Sequence, residues 1–192
     1  EMCIRDSVDI KLDVEMENLH IMPITKCNEL YNKCSVGVCM SSSNPSRIPF
    51  EMMAAGLPVV DLYRENNLYD IPDDGVLLAD TSPEAVATAI IKLLDDENLR
   101  NKLGKAGYEY MQKYPIERGF DEFLKFVNDM LNDVNVPDGN VNKIYKREPV
   151  LPSQEVINVM DAIKEVPVAP KDSSNFVRKL VVIKRFIRRK YV

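Results

Sequence analysis

The spacing of hydrophobic positions changes several times along the chain, and each change predicts a new element. Val8, Ile10, Leu12 and Val14 alternate with polar residues, which is the period of a half-buried strand. Short continuous apolar runs predict further strands at residues 19–24, 36–40, 57–60 and 76–79. Apolar residues at helical spacing predict helices near residues 26–33, 83–94, 116–132 and 153–166.

Residues 36–63 are predicted to contain, in order, a strand, a polar turn, the start of a helix and a second strand. The apolar run 36–40 stops at a cluster of serines, as a buried strand does where it enters a loop. Pro49 suits the beginning of a helix, because the N–H that proline lacks has no helical partner there. Gly56 is the expected stop signal. We therefore predict a helix of barely two turns between two strands.

The start of this short helix is a candidate anion site. The first N–H groups of a helix are unpaired, and the helix macrodipole places partial positive charge at the N-terminus. A phosphate is therefore the expected ligand. Ser46 or Arg47 precedes the helix as a cap, and Glu51 projects from its first turn. A carboxylate cannot hold phosphate, but it can accept hydrogen bonds from the sugar hydroxyls of a nucleotide. The alternative is that Glu51 only complements the helix dipole.

Composition argues against several other functions. The formal net charge of −5 does not suit a general nucleic-acid binder, which carries a basic patch or stripe. The four cysteines form no metal-ligand doublet, so we expect free buried thiols. Asp70, Asp73 and Asp74 lack the alternating spacing of a calcium loop and suit an ordinary acidic turn, so we predict no metal site. His20, the single histidine, is expected to be structural.

Residues 49–60, PFEMMAAGLPVV, carry a resemblance to a known family. They resemble the nucleotide-sugar signature in the C-terminal half of GT-B glycosyltransferases. With the preceding residues, NPSRIPFEM is similar to the rhamnosyltransferases of bacterial cell-surface polysaccharides. The superfamily has two glutamates separated by seven residues, one near the donor sugar and one on the ribose. Glu51 matches the ribose-binding glutamate, whereas Ser43 stands where the first would be, and the sequence departs from the general pattern there.

A second motif, LRNKLGKAG at residues 99–107, resembles the segment that precedes the last helix of these enzymes. The two motifs lie in the expected order, and the resemblance covers about residues 19–132. In the family the last helix returns toward the N-terminal domain. Its apolar positions are expected to be core, and they are Phe120, Phe123, Leu124, Val127 and Leu131.

The resemblance implies an α/β fold, a Rossmann-like parallel sheet with flanking helices that forms one half of a GT-B fold, plus a helical C-terminal extension. It implies a glycosyltransferase of the hexosyltransferase type that binds a dTDP- or UDP-linked sugar, of the dTDP-rhamnose type, for transfer to a cell-surface polysaccharide or lipid-linked acceptor. No cofactor or metal is expected. The catalytic base is unknown, because it would lie in a missing N-terminal acceptor domain, so this fragment alone is expected to be inactive. The residues expected at the donor are Glu51, Ser46, Arg47, Ile48, Pro49, Phe50, Ser43 and Ile24.

A function from another class remains open. The same fold would serve as a non-catalytic, nucleotide-binding-like scaffold in a membrane-associated polysaccharide assembly. Ser43 in place of the first glutamate favours this alternative.

The sequence divides into four regions, of which the last is rich in basic residues. We divide the chain into a leader at 1–7 that resembles a sequencing-adapter remnant, a nucleotide-sugar-binding domain at 8–132, a connector with one short helix at 133–174, and a basic amphipathic helix at 175–192. Such a helix either lies in the interface of an anionic membrane or packs on its own domain. The sequence has no run of eighteen apolar residues and no signal peptide, so we expect a cytoplasmic protein, peripheral at the inner face of the membrane.

Overall fold

The computed structural model describes residues 2–4, 16–42, 46–132, 134 and 142–164 of the chain. Its strands are β1 (Met2–Ile4), β2 (Met16–Asn18), β3 (Gly37–Val38), β4 (Val59–Leu62) and β5 (Val76–Ala79). Its helices are α1 (Ile24–Tyr31), α2 (Ile48–Ala54), α3 (Glu65–Asp70), α4 (Pro83–Asp95), α5 (Glu97–Met111), α6 (Ile116–Leu131) and α7 (Gln154–Lys164). The strand predicted at 8–14 and the basic helix predicted at 175–192 lie outside the described residues.

The central sheet is parallel, in the order β3-β4-β5. Successive residues of a strand point to opposite faces, and β4 and β5 are apolar on both faces apart from Asp61. Such strands must be covered on both sides. One face of the sheet packs with residues of α4 and α5, and this core contains Val60, Leu77, Ala79, Ala85, Val86, Ala89, Leu93 and Leu103. The other core contains Met53, Val59, Leu68, Ile71, Val76, Leu78 and Tyr145. The α/β fold with a Rossmann-like parallel sheet, flanking helices and a helical extension is confirmed.

The segment after α6 packs against the domain. Val150 continues the sheet beyond β5, since its N–H donates to Leu78 O at 2.8 Å and its carbonyl accepts from Asp80 N at 3.0 Å. Tyr145 is buried, and its Oη accepts a hydrogen bond from Leu78 N at 3.1 Å. Residues 142–150, assigned to the connector on sequence, therefore cover the outer edge of β5.

Helix α2 ends in the turn that the sequence predicts. Gly56 has φ +74°, the left-handed region that glycine enters without strain. Its N–H donates to Met53 O at 2.9 Å, and Leu57 N donates to Met52 O at 3.0 Å, which is the Schellman pattern. Gly104 of α5 lies directly against Gly56 O, where a Cβ would collide with the backbone. The two glycines thus allow α5 to pack closely on the end of α2.

Helices α4 and α5 begin at side-chain caps. Ser82 Oγ accepts from Ala85 N at 3.2 Å, as predicted, and Asp96 Oδ1 accepts from Leu99 N at 2.9 Å. Among the residues that the structure describes, no helix has the length and apolar character needed to cross a membrane.

The strand predicted at 19–24 is wrong. The strand ends at Asn18, and α1 begins at Ile24. Pro23 is the N-cap of α1, and its carbonyl accepts from Lys26 N and Cys27 N. Proline has no N–H to donate to a strand ladder, so an apolar run that contains it is a poor central strand.

The prediction that the apolar stripe of α6 is core is also wrong. The side chains of Phe120 and Phe123 are 61% and 63% exposed, and Leu131 is 77% exposed. The helical spacing is correct, and α6 contains no buried residue. The stripe stays exposed because the described part of this chain packs nothing against it.

Candidate functional site

The candidate site lies where the carboxyl ends of β3 and β4 meet. In an open parallel sheet, ligands bind outside the carboxyl ends of the strands. The chain leaves β3 at Val38 and enters α2 at Ile48, and it leaves β4 at Leu62 and enters α3 at Glu65. Arg47 and Arg64 are the exposed N-cap residues of α2 and α3. Each of the two loops therefore ends in an exposed arginine at this edge of the sheet.

A buried carboxylate holds the first of these loops. Asp61 in β4 is 0% exposed, and its Oδ1 accepts from Ser41 N at 2.8 Å and from Leu62 N at 2.8 Å. Ser41 Oγ donates to Asp61 Oδ2 at 2.6 Å. A buried charge requires such hydrogen bonds, because burial removes its hydration. Asp61 thereby fixes where the chain leaves β3 toward α2.

Sequence reasoning missed Asp61. The available signal was a single acid inside the apolar run VVDLY, at residues 59–63. A carboxylate in a buried strand needs donors, and the serines that follow the neighbouring strand are obvious ones. The pairing of the two strands was required to show which serine supplies them.

The start of α2 offers fewer main-chain donors than the sequence suggested. Ser46 Oγ accepts from Ile48 N at 3.3 Å, and Pro49 has no N–H. Pro49 is buried and Phe50 is half-buried. A diphosphate at this position would rely on Arg47 and on the loop as well as on the helix start. Ser43 lies outside the described residues.

Glu51 is half-buried on α2 and meets a tyrosine of α1. Tyr31 Oη donates to Glu51 Oε2 at 3.4 Å, a long hydrogen bond. Tyr31 is 5% exposed and packs in a small core with Cys27 and Leu57. Helix α1 therefore supports the helix that carries Glu51.

Ile24, by contrast, is 62% exposed at the opposite end of α1 from Tyr31. Seven residues of helix separate Ile24 and Tyr31 by about 10 Å along the axis. The structure brings Ser46, Arg47, Ile48, Pro49, Phe50 and Glu51 together in one turn and its approach, and the role of Ile24 stays a prediction.

The thiol of Cys39 lies next to the Ser41–Asp61 pair. Cys39 Sγ and Ser41 Oγ are 3.5 Å apart. Burial raises the pKa of the Cys39 thiol, and the nearby Asp61 carboxylate raises it further. A thiol with a raised pKa is a weak nucleophile at neutral pH, so Cys39 suits packing rather than covalent chemistry. Cys27, Cys34 and Cys39 form no disulfide with one another.

Two of the acidic turn residues have structural partners. Asp73 Oδ1 accepts from Lys146 N at 2.7 Å and from Arg147 N at 3.1 Å, and Arg147 pairs with Asp74 at 2.9 Å. These contacts anchor the segment that contains Tyr145. In the part of the chain that the structure describes, no three histidine, cysteine or acidic residues are grouped as a metal site would require.

A separate groove of about 480 Å³ lies at the start of α6. It is lined by Tyr114, Pro115, Ile116, Arg118, Gly119, Phe120, Glu122 and Phe123. None of these residues belongs to the β3–α2–β4 unit. The groove is therefore distinct from the candidate site.

Two comparisons with known proteins bear on this chain, and one of them gives the residues that it matches. Residues 4–91, less than half of the chain, match the family model described as WsaF, C-terminal domain. The chain is also 31% identical over 110 residues to the O-antigen biosynthesis protein RfbC of Myxococcus xanthus. That alignment covers 56% of this chain and 9% of the RfbC protein, so the chain spans a small part of its curated relative. The two similarities support a glycosyltransferase C-terminal region and do not specify its type.

Proposed function

We propose that this chain is the donor-binding part of a glycosyltransferase that builds a bacterial cell-surface polysaccharide. The observation that carries the proposal is that the family match at 4–91 contains the whole unit from α1 to α3. This unit contains the connection from β3 through a loop to α2. It also contains the exposed Arg47 and the half-buried Glu51. The similarity to RfbC supports a role in polysaccharide synthesis.

The proposed donor is a nucleotide-diphosphate sugar, with dTDP-rhamnose as the first choice. The motif NPSRIPFEM favours this donor through its resemblance to rhamnosyltransferases. Glu51 accepts hydrogen bonds from the ribose hydroxyls, and Arg47 with the main chain at 46–50 faces the diphosphate. Positive charge at this point offsets the charge that develops on the leaving nucleotide, so the proposal needs no metal.

The proposed acceptor is a glycan or a lipid-linked sugar, and the proposed place of reaction is the cytoplasm. In GT-B enzymes the acceptor site and the base belong to a second domain, so the proposal assigns donor binding to the described region. Nucleotide binding, rather than turnover, is the property to measure on this chain.

Calorimetry with dTDP and with UDP tests the proposal. We expect binding that Glu51→Ala weakens by about 1 to 3 kcal/mol, because a charged hydrogen-bond acceptor is lost. Glu109→Ala, at an exposed position on α5, is the matched control and should leave binding unchanged. Absence of binding to both nucleotides would contradict the proposal and favour the non-catalytic scaffold, the alternative that Ser43 suggests.

A further inference from the structure

Helix α6 presents a broad apolar face to solvent. Its large apolar side chains share one side of a helical projection, and the exposed ones are Ile116, Phe120, Phe123, Leu124, Phe126, Met130 and Leu131. With about 150 to 250 Å² for each side chain when fully exposed, their exposed fractions add up to roughly 650 to 1,100 Å². The largest apolar patch of a typical monomer is about 300 to 600 Å². The face therefore has the size of an interaction surface.

The stability of α6 also requires that this face be covered. The helix has 16 residues, and none of them is buried. Helices in proteins gain most of their stability from the packing of an amphipathic face, and an isolated helix of this length is close to the marginal range of about 12 to 15 residues. Each partner in a standard protein interface contributes about 800 Å², which matches the exposed apolar area of α6.

The two ends of the face have complementary shapes. At the start of α6 lies the groove of about 480 Å³, with Tyr114 and Pro115 among its lining residues. At the other end Leu131 protrudes, with 77% of its surface exposed. Ile116 and Leu131 are fifteen residues apart, which is about 22 Å along the helix axis. A second α6 that runs in the opposite direction therefore brings its Leu131 to the groove of the first, and its own groove to the Leu131 of the first.

The charges beside the face are compatible with such self-pairing. A twofold axis places each edge of the face against the same edge of the other copy. If the axis passes near Phe123, Glu117 of one copy lies within about 1.5 Å, along the helix axis, of Asn128 of the other, and an amide can donate to a carboxylate. On the opposite edge Glu122 already pairs with Arg118 of its own helix at 2.7 Å, so that pair carries no net charge.

We propose that α6 pairs with α6 of a second copy of this chain, in antiparallel orientation, about a twofold axis near Phe123. The same surface then serves both copies, as in the twofold dimers that are the commonest assemblies of soluble proteins. Leu131 of each copy occupies the groove beside Tyr114 of the other, and the two Phe123 rings meet at the axis. The inference is independent of the proposed donor chemistry.

The charge of α6 argues against a membrane as the occupant. The helix contains four acidic and two basic residues, which gives it a formal charge of −2. Helices that lie in a membrane interface carry lysine and arginine on their polar face, where anionic lipids attract them. The polar side of α6 has the opposite charge balance, and anionic lipids would repel it. A protein surface therefore suits the face better than a lipid surface.

Sedimentation of the full chain over a range of protein concentrations tests the pairing. We expect the measured mass to rise from that of one chain to that of two. Phe123→Ser should raise the dissociation constant of the dimer at least about a hundredfold, because each copy loses a large apolar side chain from the interface. Lys125→Ser, on the polar side of the same helix, is the matched control and should leave that constant unchanged. Circular dichroism checks that both variants remain folded.

Disulfide cross-linking tests the direction of the pairing. Chains with Glu117→Cys are mixed with chains with Asn128→Cys, and a tag on one of the two separates the products by size. Antiparallel pairing predicts a cross-link between the two different chains, and cross-linking of either chain with itself only to the level that the native cysteines of the parent give. A mixture of Glu109→Cys, exposed on α5, with Asn128→Cys is the control and should stay at the level of the parent.

Three results would overturn the inference. The first is the mass of one chain at every concentration up to the solubility limit, or a dimer that Phe123→Ser leaves intact. The second is cross-linking of Asn128→Cys chains with one another and not with Glu117→Cys chains, which would mean parallel pairing. The third is binding to phosphatidylcholine vesicles that Phe123→Ser abolishes, with the mass of one chain in their absence, which would assign the face to a lipid surface.

Discussion

Ser41 and Asp61 are joined by two hydrogen bonds, from Ser41 N to Oδ1 at 2.8 Å and from Ser41 Oγ to Oδ2 at 2.6 Å. Asp61 lies on β4, and Ser41 follows the neighbouring strand β3, twenty residues earlier in the sequence. The pair ties the exit of β3 to β4, and so determines where the loop toward α2 begins. The geometry of the candidate site depends on this buried contact rather than on an exposed one.

Asp61→Ala should destabilise the fold by about 2 to 4 kcal/mol, because Ser41 N, Ser41 Oγ and Leu62 N all lose their acceptor in a buried place. Ser41→Ala should cost only about 1 kcal/mol, since both N–H donors keep the carboxylate. Urea unfolding followed by circular dichroism measures both changes. Equal effects of the two substitutions would mean that the main-chain donors find other partners.

The close contact between Gly56, after α2, and Gly104 of α5 leads to a prediction that Gly119 of α6 can control. Gly104→Ala should destabilise the domain by about 1 to 3 kcal/mol, because the new Cβ collides with Gly56 O. Gly119→Ala on α6 has nothing within 4 Å of its Cβ and should stabilise by about 0.5 to 1 kcal/mol through helix propensity. Thermal unfolding of the two variants should shift in opposite directions. A neutral Gly104→Ala would show that α5 can move away from the α2 turn without cost.

Tyr145 should contribute to stability through its hydroxyl as well as its ring. Tyr145→Phe leaves Leu78 N without its acceptor in the core, which we expect to cost about 1 to 3 kcal/mol in denaturant unfolding. Tyr69→Phe removes an exposed hydroxyl that bonds Glu65 and should be nearly neutral. If the two variants unfold alike, water replaces the lost Tyr145 hydroxyl.

Stability should fall at high pH. Burial raises the pKa of Tyr145 above its usual value, and burial with the Tyr114 hydrogen bond raises the pKa of Tyr110 to about 12. Because the folded state then holds these protons more tightly than the unfolded chain, their contribution is complete below pH about 10 and is lost as pH rises through the folded pKa values. Urea unfolding between pH about 8 and about 11 should show the decline. The difference between parent and Tyr145→Phe should shrink over that range; a constant difference would contradict the assignment.

Tyr31→Phe tests whether α1 helps to orient Glu51 for the proposed nucleotide. The hydrogen bond is long, so dTDP binding should weaken less than in Glu51→Ala, by up to about fivefold. Stability should change little, because the buried ring remains. Calorimetry with dTDP, alongside urea unfolding, separates the two effects. A loss as large as that of Glu51→Ala would assign Tyr31 itself to the nucleotide site.

Local patterns were sufficient for several elements of the fold. Pro49, Gly56 and Ser82 act within a few residues of the turns they define, so the ends of α2 and the start of α4 follow from the sequence directly. The apolar runs of β4 and β5 likewise predict buried strands, because strands covered on both faces need continuous apolar residues.

Only the tertiary structure decided which distant groups meet. The sequence determined that Asp61 is an acid in an apolar run and that α6 carries an apolar stripe. It could not show that Asp61 bonds Ser41, that Tyr145 returns to cover β5, or that the α6 stripe lacks a partner in the described chain. The physical reason is that helix and strand periods are set by neighbours in sequence, whereas burial depends on which surfaces come together after the chain has folded.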